Sequence, residues 1–126
     1  MRRFMVIVAA AALGSSASAA LAQVHLTGRS AADDQLQHDI VQQVSLLGGT
    51  ECEAPSEIRA SVIHPSRIPS TAEYRAPSDN ASYEEWDANF CGKLSPVLVT
   101  FWPDPNGGSF IVVTYPYPED APRGAH

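Results

Sequence analysis

The chain has 126 residues, with fourteen acidic against eight basic side chains, a net charge of −6 and 44% hydrophobic residues. That length supports one small domain. An acidic surface repels phosphate backbones and anionic lipid, which argues against nucleic acid and membrane surfaces as partners.

In chain order, Arg2 and Arg3 form a short positive region, and residues 4 to 13 form an apolar run too short for a stable membrane anchor. Small residues follow, and Ala20-Leu21-Ala22 has the A-x-A form that signal peptidase reads. The pattern predicts a cleaved signal peptide over residues 1 to 22, a mature chain from Gln23, and a periplasmic or secreted location. Beyond Ala22 six basic residues face fourteen acidic ones. The acidic side chains are scattered, as on an ordinary solvated surface.

Export implies an oxidising compartment, where two cysteines normally pair. Cys52 and Cys91 are the only two in the chain. Their bridge would close a loop of about 40 residues, which chain entropy values at about 4 kcal/mol. A thiol nucleophile or redox pair is less well supported, because C-x-x-C spacing is absent.

Residues 23 to 29 read as a loose leader. Ser30 and Asp33 have the spacing of a capping box. Leu36, Ile40, Val44 and Leu47 then recur at helical spacing, with Val41 beside them, and Gly48-Gly49 supplies a stop. Residues 57 to 64 read as a strand, since Ile58, Ala60 and Val62 alternate with Glu57, Arg59 and Ser61. Residues 65 to 82 carry Pro65, Pro69 and Pro77 without an apolar period and read as a long, mobile, irregular connection. Residues 83 to 90 alternate again: Trp86, Ala88 and Phe90 share one face, and Glu85, Asp87 and Asn89 the other. Two further strands, 96 to 102 and 109 to 115, flank the turn Pro103-Asp104-Pro105-Asn106-Gly107-Gly108. Residues 116 to 126 form a proline-rich tail expected to dangle or lie flat. The pattern predicts a single α+β domain over 23 to 126: one N-terminal amphipathic helix packed on a small antiparallel sheet of about four strands, with one disulfide.

No catalytic set assembles. His38 lies on the polar side of the helix beside Asp34 and Gln42, and His64 ends a strand before a proline. Neither has partners at ligand spacing. Glu84 and Glu85 are neighbours on a strand, so they point to opposite faces and cannot act as a carboxylate pair. Asp104-x-Asn106 resembles the start of a calcium loop but lacks the later bidentate Glu. Turn chemistry explains those residues, so neither a metal nor a cofactor is expected.

Trp86-x4-Cys91-Gly92, an alternating strand, Pro103-Asp104 and Gly107-Gly108 before Ser-Phe-Ile-Val-Val together resemble the C-terminal half of small uncharacterised periplasmic proteins of Gram-negative bacteria. The resemblance spans residues 86 to 113. It implies an envelope location and a small α+β fold, and it carries no activity.

These readings favour a non-enzymatic exported binding or interaction protein, with an unidentified protein or small molecule as partner. Trp102, Tyr115 and Tyr117 are the candidate binding patch, weighed against plain core packing. The alternative is an inhibitor or accessory subunit of an envelope hydrolase, with the 65 to 82 loop inserted into a basic cleft. An enzyme with His38 or His64 as general base ranks third.

Overall fold

The computed structural model describes residues 24 to 125. The expected signal peptide lies outside the described residues. Among these residues one α-helix packs on a five-stranded mixed sheet whose order follows the sequence: β1 (His25–Gly28), β2 (Glu57–Ile63), β3 (Ser82–Phe90), β4 (Lys93–Pro103) and β5 (Ser109–Thr114), with α1 (Asp34–Ser45) between β1 and β2. The fold is α+β, as the periodicity predicted.

The count of four strands misses β1, because the supposed leader is a strand. It pairs in parallel with β2, His25 against Glu57 through Gly28 against Ala60. Parallel neighbours require a long crossover, which α1 and its flanking loops supply. At Gly28 the backbone takes φ +85°, and a Cβ there would lie 2.1 Å from the Ala60 carbonyl oxygen, so only glycine fits. The other pairings, β2–β3, β3–β4 and β4–β5, are antiparallel.

The helix begins three residues later than a Ser30 cap would place it. Asp33 is the N-cap, and its side chain accepts from the Leu36 amide at 2.8 Å. The α1 register is otherwise as read: Ile40 and Val44 are buried on Ile58, Trp86, Ala88, Val97 and Val99, which form the inner face of the sheet. Leu47, however, is largely exposed, because the helix gives way to a 3-10 turn over Leu46–Gly48 that rotates it off the apolar stripe.

Cys91 and Gly92 both have positive φ, 52° and 94°, and form a two-residue turn between β3 and β4. Such a turn suits the twist of paired strands. It starts β4 at Lys93, earlier than the alternation suggested. The turn also presents Cys91 to Cys52, to which it is bridged with the Cα atoms 6.1 Å apart. The bridge therefore ties the segment after the helix to the sheet, as expected from the cysteine count and compartment.

The other sheet face has its own layer, built from segments without periodic secondary structure. Ile68, Ala81 and Ala121 are buried against Ile63, Tyr83 and Leu98, with Tyr74, Trp102 and Tyr117 packed around them. The 65 to 82 connection therefore lies on the sheet, and the tail lies flat across the same face.

Candidate functional site

Two acidic residues hold the layers together. Glu84 and Glu85 are both fully buried, on opposite faces of β3. On the inner face, Glu84 accepts hydrogen bonds from the Ser30 hydroxyl at 2.7 Å, the Ala31 amide at 2.6 Å and the Trp86 indole at 2.8 Å. That carboxylate fastens the β1–α1 loop to the sheet. On the outer face, Glu85 accepts from the Arg123 Nε at 2.9 Å, from a second Arg123 guanidinium nitrogen, and from the Gly124 amide at 2.9 Å. Arg123 also stacks 4.9 Å over the Tyr117 ring, and the Tyr117 hydroxyl donates to the Pro122 carbonyl.

Burial pushes the Glu85 carboxyl up, but the hydrogen bonds from Arg123, Asp87 and Gly124 outweigh it and bring it down to about 2. Asp87, two residues on and facing the same way, is pushed up to about 7 by burial, by its hydrogen bond with Glu85 and by the Glu85 charge, against the pull of Arg123 and Arg59. Between about pH 2 and about pH 7 the pair holds one proton between its two carboxyls. It is a structural clamp: Arg123 occupies the charged face of Glu85 and the tail covers it.

Beside this clamp lies an open cleft of about 960 Å3 on the outer face. Its floor is Thr100 and Trp102 of β4 with Val112 and Thr114 of β5, and its walls are the 71–77 stretch and the 115–120 stretch. The Tyr74 hydroxyl donates to the Asp120 carbonyl at 3.1 Å and joins the two walls. Burial, helped by Asp120 and Tyr83, raises the Tyr74 pKa, so it stays a neutral phenol. Trp102 is propped by Phe110, with ring centroids 5.5 Å apart. Thr100 is buried in the floor, and its hydroxyl has no hydrogen-bond partner in the protein. Buried hydroxyls are nearly always bonded, so this one requires an account.

The sequence candidates divide. Trp102 and Tyr115 come together in the cleft, while Tyr117 turns away into the Arg123 clamp. His38 contacts Gln42 at 3.0 Å on the exposed helix side, and His64 accepts from the Ser66 amide at 3.1 Å as a local cap. Asp104 accepts from the Asn106 amide at 2.9 Å within its own turn. Among the described residues no three His, Cys, Asp or Glu side chains converge as metal ligands.

Comparison with protein-family models, with curated proteins and with solved structures returns no match.

Proposed function

We propose that the protein is a non-enzymatic, exported binding protein whose cleft takes a small amphipathic molecule. The observation that carries the reading is the open cleft itself, with Trp102 and Val112 in its floor and Tyr74 and Tyr115 in its walls. A ligand with an apolar body and a few polar groups would cover the aromatic surface and meet the polar side chains of the rim, Glu73, Arg75 and Asp120. Cleft volume and lining fall within the usual range for small-molecule sites, which combine apolar walls with a few placed polar groups. Export is supported by the Arg2-Arg3 start, the apolar run, the Ala20-Leu21-Ala22 boundary and the disulfide. The inhibitor reading needs the 65 to 82 loop to project, and that loop packs on the sheet.

The test is a fragment screen by NMR on the isotope-labelled mature chain. Binders should shift the amide resonances of Thr100, Trp102, Val112 and Tyr115 together. Trp102→Ala should abolish those shifts. Fragments that bind elsewhere, or bind equally well to Trp102→Ala, would overturn the reading. For export, the intact mass of the protein released by osmotic shock should correspond to a chain starting at Gln23.

A further inference from the structure

The cleft has a charge pattern of its own. Each wall carries one exposed carboxylate, Glu73 on the 71–77 stretch and Asp120 on the 115–120 stretch. Neither side chain makes a hydrogen bond or ion pair among the described residues. Arg75 is the one basic residue of the lining, and its guanidinium donates to the Ile68 carbonyl at 3.0 Å, within its own loop. Burial first, and then the Asp120 charge, raises the Tyr74 pKa, so the field of that carboxylate reaches the cleft wall. The wider field has the same sign, since the chain carries a net charge of −6.

Aromatic side chains stand between the two carboxylates. Trp102 in the floor is propped by Phe110, Tyr74 is held in its wall by the Asp120 carbonyl, and Tyr115 is 48% exposed. Aromatic faces carry negative potential and attract a cation, most strongly over Trp. We infer that the occupant of the cleft is an organic cation, a protonated or quaternary amine on an apolar body. The inference rests on the cleft reading and deepens it by naming the charge class of the ligand.

Such a ligand gains in two ways. Its apolar surface displaces water from Trp102 and Val112, and its charge meets carboxylates that have no partner within the protein. An anion would gain the same apolar contact but would meet Glu73, Asp120 and the overall negative field, with Arg75 alone to offset them. A neutral molecule would leave both carboxylates to water. Because both are exposed, their contribution is modest and screened by salt, and the aromatic surface adds to it.

Benzylamine, benzyl alcohol and benzoate share an aromatic ring and nearly one size, and at neutral pH they are positive, neutral and negative. Titrated into the isotope-labelled protein and followed by NMR, benzylamine should shift the Trp102, Val112 and Tyr115 amides. It should bind at least about tenfold more tightly than benzyl alcohol, and benzoate should bind least. Added salt should weaken benzylamine and leave benzyl alcohol unchanged. Glu73→Gln combined with Asp120→Asn should cut the preference to about threefold or less, the part that the aromatic rings supply, with the thermal melt unchanged. Equal binding of all three probes at the cleft overturns this inference and leaves the cleft reading standing. Benzylamine shifts confined to acidic residues elsewhere, or a preference untouched by the double substitution, overturn it too. So does the absence of any benzylamine shift at the cleft, and the wider fragment screen then decides the cleft reading by itself.

Discussion

Arg123 reaches across the outer face to hold Glu85, a carboxylate with no exposed surface, by two guanidinium hydrogen bonds. The arginine side chain is itself 60% exposed, so only one end of the pair has left water. That asymmetry fixes what each substitution does. Arg123→Ala strips two charged donors from a buried carboxylate and should lower unfolding free energy by about 1–3 kcal/mol. Arg123→Lys should recover only part of the loss, because an ammonium cannot form the planar two-point contact. Urea denaturation of the three proteins checks both statements.

The Glu85–Asp87 pair should make stability depend on pH from both sides. Asp87 rises from an ordinary 3.8 to about 7 in the folded protein, so between those values the folded state holds the extra proton and stability falls as pH rises. Glu85 falls from 4.5 to about 2, so its contribution is present above the unfolded value and is lost as pH drops through that window. The pair therefore favours a stability maximum at about pH 4 to 5. Asp87→Asn should abolish the decline toward neutral pH and leave the acid limb in place. Urea midpoints measured across that range for both proteins decide it.

Trp86 is fully buried in the core cluster that includes Ile40, Ile58 and Val97, and donates its indole hydrogen to Glu84. Trp86→Phe removes ring volume and one of the three donors on that carboxylate, and should cost about 2–4 kcal/mol. Trp86→Ala should cost about 3–5 kcal/mol from the cavity alone. Thermal melts rank them, and a phenylalanine variant as stable as wild type would show that the indole hydrogen bond contributes nothing.

Replacing Cys52 and Cys91 together by Ser should cost about 2–5 kcal/mol, the usual range for a bridge in a small secreted domain. The loss should loosen the Gly48 region first, since Cys52 donates its amide to the Gly48 carbonyl and Gly48 lies against the Phe90 ring. Amide exchange should then speed up at residues 45 to 52 before it does in β3.

The inner layer was legible in the sequence because burial there follows a period. Ile40 and Val44 recur at helical spacing, Trp86, Ala88 and Phe90 alternate, and Asn106-Gly107-Gly108 marks its turn. β1 was not legible: four residues are too few to display an alternation, and parallel pairing leaves no turn beside it. Nor was the burial of Glu84 and Glu85, since a carboxylate in an alternating strand reads as a solvent-facing residue until its donors are known. Those donors, Ser30 and Arg123, lie 54 and 38 residues away in sequence. The cleft was invisible for the same reason. Two aperiodic stretches enclose it, and Trp102, Tyr115 and Tyr117 were its aromatic hint; Trp102 and Tyr115 line it, while Tyr117 packs under Arg123.

The Arg123 clamp also fixes an order of events in time. A chain delivered with its N-terminus first presents Glu85, on β3, 38 residues before Arg123. Until then Glu85 has no arginine, the outer face of the sheet lies open, and one wall of the cleft does not exist. The inner layer can form during delivery, but the outer layer closes only after Arg123 has emerged. A chain delivered only as far as β5 is thus kept short of its final state by a charge that Arg123 must neutralise.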